Sequence, residues 1–204
     1  MHAQRVSAIT RYRQADAPGW LSVATEQIRL VPTPIGLQPT DHIRVNWQNQ
    51  PYGRVGKILV AIIHDGNDAA IRLQWRSEQK HPKDAVAVAL PVRDRPALAT
   101  MGAEHAPVHF LHWIAGQGGL RSVVATGIGT TREGPRFKTS VASSWEKGEW
   151  RVVVVRPLGS GGGIAPLFAD AKTGIGFAVW EGANDERAGI KAFSIDWQEL
   201  TFAA

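Results

Sequence analysis

The sequence predicts an all-β chain, a two-sheet antiparallel β-sandwich with a few short helices. Three observations carry this. The longest apolar runs, 58–63 and 85–90, are strand-sized. They are divided by Gly, Pro and Asp/Asn turns. No long stretch repeats its apolar residues with the period of a helix. At 204 residues the chain fits one domain spanning 1–204.

In chain order, the first clear hairpin is 57–64, the turn 65–68 (DGND) and 69–75. In its second strand Ile71, Leu73 and Trp75 alternate with Arg72, Gln74 and Arg76, which predicts one core face and one solvent face. A strand follows at 85–90, then a loop or one short helix over 92–101, and strands at 108–114 and 123–127. A second hairpin joins 141–145 to 150–156 through 146–149 (EKGE); Val152 and Val154 face opposite to Val153 and Val155, so both faces are apolar and the strand is central. The segment 159–164 (GSGGGI) is flexible and links two strands, and further strands are expected at 174–180 and 192–200. Eight to ten strands suffice for a sandwich, and Trp75, Trp113, Trp150 and Trp180, all on predicted strands, read as core rather than as a sugar-stacking face.

Composition removes several classes of function. With no cysteine there is no disulfide, thiolate metal site, iron–sulfur cluster or covalently attached c-type haem. The net charge of +5 comes from 23 Lys and Arg scattered without a run of four, a pattern that argues against nucleic acid and suits an acidic protein partner. No apolar run approaches the ~20 residues of a membrane span. The start, MHAQR, lacks the apolar core of a secretory signal, so export is expected either alongside a partner or after removal of a leader.

His105, His109 and His112 have metal-like spacing, yet His109 and His112 point to opposite faces of a strand, and His105 precedes Pro107 in the entry loop. His64 closes a hairpin strand and is expected to bond the Asp65 turn. The glycines of 159–163 lack the Lys-Ser/Thr ending of a phosphate loop, and no nucleophile elbow is present.

The most informative segment is C-terminal: 175–180 (IGFAVW), 181–191 (EGANDERAGIK) and 192–197 (AFSIDW). Together with 63–66 (IHDG), Trp75 and 148–150 (GEW), it resembles the haem b-binding gamma subunits of periplasmic molybdenum enzymes of the dimethyl sulfoxide reductase family. These include ethylbenzene, steroid C25 and dimethyl sulfide dehydrogenases and selenate and chlorate reductases, and overall similarity leans towards the hydrocarbon-hydroxylating branch. The resemblance implies that Lys191 and Met101, the one methionine besides the initiator, are the axial ligands of the haem iron. It also implies a periplasmic, non-catalytic electron-transfer subunit carrying one haem b. Its partners would be a molybdenum-cofactor catalytic subunit and an iron–sulfur subunit in a heterotrimer, with an external acceptor such as a cytochrome c. A cofactor-free β-sandwich binding carbohydrate or a protein partner is the alternative.

The chemistry sets conditions on both ligands. A thioether is a neutral, soft donor that favours ferrous iron and raises the reduction potential. An amine must be neutral to bind, and at an ordinary pKa near ~10.4 deprotonation at pH 7 costs about 4–5 kcal/mol. The small and apolar neighbours Ala188, Gly189, Ile190, Ala192 and Phe193 suit a desolvated amine, and Arg187 is expected to disfavour its charged form further if it lies close.

Overall fold

The computed structural model describes residues 1–161 and 163–203. Its strands are β1 (His2–Arg5), β2 (Glu26–Arg29), β3 (Val31–Pro32), β4 (Lys57–His64), β5 (Asp68–Arg76), β6 (Ala85–Pro91), β7 (Val108–Ile114) and β8 (Gln117–Ala125). These are followed by β9 (Thr131–Glu133), β10 (Ser140–Glu146), β11 (Glu149–Pro157), β12 (Gly159–Gly161), β13 (Ile164–Leu167), β14 (Lys172–Trp180), β15 (Ala192–Phe193) and β16 (Gln198–Phe202). One α-helix, α1 (Asp41–Trp47), starts where the Thr40 hydroxyl accepts from the Ile43 N–H. No helix among the described residues is long and apolar enough to cross a membrane.

The strands run in the order β10-β11-β5-β4-β1-β16-β14-β6-β7-β8-β9, which folds into two facing sheets joined along one edge by β1 and β16. The interior between them is filled from both sides, by Val60, Ile62, Ile71, Leu73, Val152 and Val154 of one sheet and Val86, Val88, Leu111, Ile175, Phe177 and Val179 of the other. Trp75 stacks on Trp150 at 6.3 Å, and Trp113 meets Trp150 edge-on at 5.0 Å, so these three strand tryptophans form one aromatic cluster.

Both hairpins lie where the alternation predicts, and β11 is central between β10 and β5. Four expectations are corrected. The outer face of β5 is not left to water: the N-terminal segment lays Ile9, Ala15, Trp20 and Val23 across Ala61, Ala70, Val153 and Val155, and Arg72 donates to the Ala15 carbonyl at 3.0 Å. The sandwich is not wholly antiparallel, because β1 pairs parallel with both β4 and β16. The strand expected at 123–127 is the longer β8, beginning at Gln117. The single strand expected at 192–200 is two, β15 and β16, because the chain leaves the sheet to seat Trp197, whose indole N–H donates to the Pro96 carbonyl at 2.6 Å while its ring covers Gly174.

The expected flexible link 159–164 forms the paired strands β12 and β13 on either side of residue 162, which lies outside the described residues. His64 does not bond the Asp65 turn. Its ring nitrogens find no partner among the described residues, its ring packs edge-on against Phe202, and the Asp65 carboxylate accepts instead from the N–H groups of Asn67, Asp68 and Ile9.

Candidate cofactor cleft

The outer face of the second sheet carries the cleft. In β6 the residues alternate Ala85, Val86, Ala87, Val88, Ala89, Leu90, so the valines and leucine enter the interior while the alanines face outward. Side chains ending at Cβ leave space above that face, and a cleft of about 590 Å³ opens there, within the size range of small-molecule and cofactor sites. Ala85, Ala87, Phe110, Ile114, Val123 and Trp180 supply most of its apolar wall.

Two loops overhang it. The first, 92–107, anchors Leu98 on the sheet, where a Cβ on Gly176 would come within 2.7 Å of a Leu98 methyl. A short 3₁₀ turn, Leu98–Thr100, then ends at Met101, which adopts the left-handed conformation at φ 57°. Such a backbone at a non-glycine residue is strained and persists where its surroundings hold it. Gly102 provides that hold: it is also left-handed, at φ 104°, and approaches so closely that a Cβ would lie 2.7 Å from the Ala125 carbonyl oxygen.

The second loop, 181–191, is organised by two buried carboxylates. Glu186 accepts from the backbone N–H of Gly53 at 2.7 Å and of Glu181 at 3.0 Å, and from the Asn184 amide at 3.1 Å. Asp84, fully buried, accepts from the Gly182 N–H at 2.8 Å, the Trp150 indole at 2.8 Å, the His81 N–H at 3.0 Å and the Ser77 hydroxyl at 3.3 Å. It ties the start of the loop to the aromatic core. Further on, the Gly189 carbonyl accepts from Gln38 and Thr33, and the Lys191 carbonyl accepts from the Thr33 N–H at 3.0 Å. Immediately afterwards β15 pairs with β14 and β3, so Lys191 leaves a pinned backbone.

Met101 and Lys191 are 90 residues apart in sequence and meet in the cleft, with the Lys191 Nζ 3.7 Å from the Met101 Sδ. Lys191 is 5 % exposed and has no salt bridge among the described residues. Its amine donates to the Ala188 carbonyl at 3.2 Å and lies 5.5 Å from the centre of the Trp180 ring. Burial pushes its pKa down to about 8. Deprotonation at pH 7 then costs roughly 1.4 kcal/mol, against the roughly 4–5 kcal/mol of a solvated lysine. Arg187 does not contribute as expected; it bonds Asp185 at 3.2 Å, and desolvation is the cause of the shift.

The histidines do not assemble. His105 is exposed in the loop before β7. His109 points into the sandwich interior, where its Nδ1 accepts from the Ala165 N–H at 3.3 Å and its Nε2 therefore donates to the Ser122 hydroxyl at 2.9 Å. Burial, then the charge of Arg156, pushes its pKa down to about 4. His112 faces the other way, into the cleft, with its ring 4.9 Å from Trp180 and a buried Nε2 that has no partner among the described residues. Burial, then the charges of Arg121 and Lys191, holds it at about 4. No group of three or more metal-binding side chains of His, Cys, Asp or Glu occurs among the described residues.

The donor set suits one metal ion held from two sides. The Lys191 Nζ and the Met101 Sδ, one a desolvated amine and the other a soft thioether, face each other at 3.7 Å and would hold such an ion between them. A largely apolar cleft around the pair and an unpartnered imidazole nitrogen within it suit an apolar cofactor with polar substituents. Haem fits these residues.

Fold and site together define an all-β sandwich with a ligand-sized cleft on the outer face of one sheet, where a thioether and a desolvated amine converge. The carbohydrate-binding module of family 9 from Caldicellulosiruptor kristjanssonii, solved with glucose, has the same fold: the TM-score is 0.55 with 9 % identity, covering 100 % of this chain and 95 % of that one. That likeness concerns the fold alone. The profile of the family described as ethylbenzene dehydrogenase matches residues 127–192, a span that contains Lys191. A protein of Haloferax mediterranei named as a respiratory nitrate reductase heme subunit is 26 % identical over 98 % of this chain and 71 % of its own length. The chlorate reductase subunit gamma of Ideonella dechloratans is 36 % identical over 58 % of this chain, and the match spans only half of that subunit. In sequence the chain is thus similar to the ethylbenzene dehydrogenase profile over its C-terminal part and to subunits named as heme or gamma subunits of nitrate and chlorate reductases.

Proposed function

We propose that the chain, as one unit over 1–204, is a periplasmic electron-transfer subunit that holds one haem b between Met101 and Lys191. It relays electrons between the iron–sulfur subunit of a molybdenum dehydrogenase complex and an external acceptor such as a cytochrome c. The observation that carries the reading is the convergence of these two side chains, 3.7 Å apart, in an apolar cleft. The similarity to subunits named as heme and gamma subunits of nitrate and chlorate reductases supports the coarser part, a subunit of a multi-subunit molybdoenzyme.

When bound, haem supplies a one-electron ferric/ferrous couple. The residues set its conditions. The Met101 thioether favours the ferrous state, and the Lys191 amine reaches the neutral state it needs at little cost because the loop has already desolvated it. Met101 and Lys191 would hold the iron from this chain's own side chains, and a haem so held would supply one-electron transfer rather than a site for substrate. Trp180, Phe110, Ala85 and Ala87 give the cleft an apolar lining that would keep water from a bound haem.

The test is haem content. Full-length chain, alone and in its complex, should give one non-covalent haem b in a pyridine haemochrome assay. Ala87→Leu, which puts a branched side chain on the cleft floor without touching the sandwich interior, should lose most of it while keeping the β-sheet circular dichroism. Assembled complex without haem would remove the proposal. A second expectation concerns Met101→His: the haem is retained and its midpoint potential falls, because a nitrogen donor stabilises ferric iron relative to a thioether. An unchanged midpoint in potentiometry would exclude Met101 as a ligand.

A further inference from the structure

The cleft is lined by four cations, Lys83, Arg121, Arg187 and Lys191. Three are committed. Lys83 and Arg187 both bond Asp185, at 2.7 and 3.2 Å, and Lys191 is turned inward on Met101 and Ala188. The lining carboxylate, Glu186, has both oxygens occupied by N–H donors. Arg121 alone of the four has neither a salt bridge nor a side-chain hydrogen bond among the described residues, and it is exposed at the mouth.

Arg121 sits directly across the β7–β8 pair from His112, on the same outer face. Side chains so paired have Cβ atoms roughly 5 Å apart, close enough for one small group to touch both tips. His112 brings the buried, unpartnered Nε2. A guanidinium with free donors and an imidazole nitrogen without a partner, side by side on the β7–β8 wall of the cleft, form the complement of a carboxylate.

We infer that Arg121 and His112 grip a carboxylate of the cofactor, so that this edge of the cleft receives a propionate and sets which way round the ring enters. The inference rests on the haem reading. Neither residue ligates the metal; both act as positioning groups through the carboxylate.

The experiment titrates cofactor-free full-length chain with haemin and with haemin dimethyl ester, whose propionates are masked, following the absorption spectrum. Arg121→Gln should weaken haemin binding roughly tenfold to a hundredfold, the size of one charge-assisted hydrogen bond, and leave ester binding unchanged. His112→Leu should weaken haemin more than ester, and the double variant should lose less than the product of the two single effects because both residues serve one group. Arg132→Gln, which removes the same charge from β9 outside the cleft, should behave as wild type with both probes. Equal haemin affinity in wild type and Arg121→Gln, or equal losses for haemin and ester, would overturn the anchor while leaving the haem reading intact. A wild-type chain that binds neither probe would overturn both.

Discussion

If Lys191 holds the haem iron, Lys191→Ala should convert a low-spin, six-coordinate absorption spectrum of the haem-loaded protein into a high-spin or water-ligated form at neutral pH. Wild type should undergo the same change on acidification, because protons would compete with the metal for the amine. An amine is more basic than an imidazole, so the change should come at higher pH than for a histidine ligand. A low-spin spectrum in Lys191→Ala indistinguishable from wild type would exclude the assignment.

The same residue makes a prediction about the cofactor-free chain, with the opposite sign. Its pKa in the folded state is about 8, below the ordinary 10.5, so between these values the unfolded chain binds more protons than the folded one. Stability therefore rises with pH through that window. Below about 8 the full penalty of a buried ammonium applies, on the order of 3 kcal/mol, and above 10.5 it is gone. Lys191→Leu should stabilise the cofactor-free chain against urea at pH 7 by up to that amount and flatten the rise between pH 8 and 10.5. A buried amine that costs stability in the cofactor-free chain is a trade expected where a residue is kept for function. If the variant is less stable than wild type, the amine is not desolvated as described.

The second large effect is expected at Asp84. Asp84→Ala should destabilise the fold by about 3–5 kcal/mol, because the Trp150 indole and the N–H groups of His81 and Gly182 lose their acceptor in a site closed to water. Against a typical total of roughly 5–15 kcal/mol this is a large share. Gly182 begins the loop that carries Lys191, so the surviving folded molecules should also bind haem more weakly. Asp84→Asn keeps one acceptor oxygen and should fall between. A loss under about 1 kcal/mol in urea unfolding would show that the carboxylate does not bear this role.

Much of the sandwich was legible because strands announce themselves locally. The period-two alternation in 69–75 placed Ile71, Leu73 and Trp75 of β5 inward, and the doubly apolar run 150–156 placed β11 as a central strand. The cleft floor was written in the same code: the alternation of small Ala85, Ala87 and Ala89 with large Val86, Val88 and Leu90 marks a strand with a roomy outer face, although the run alone reads simply as apolar. Met101 and Lys191 were singled out from the family motif, since composition offers no sign that a lysine will be desolvated.

By itself the sequence determined the strand-forming pattern, the absence of any cysteine chemistry, and the two side chains able to act as soft and basic donors. Only the tertiary structure decided that those two meet at 3.7 Å, that His109 turns inward while His112 enters the cleft, and that Thr33, Gln38, Asp84 and Glu186 hold the Lys191 loop in place. The reason is physical. Alternation and turn chemistry act between neighbours in the chain, whereas desolvation of an amine and satisfaction of a buried carboxylate depend on partners as far apart as Gly53 and Glu186, which are brought together only when the loops close over the sheet.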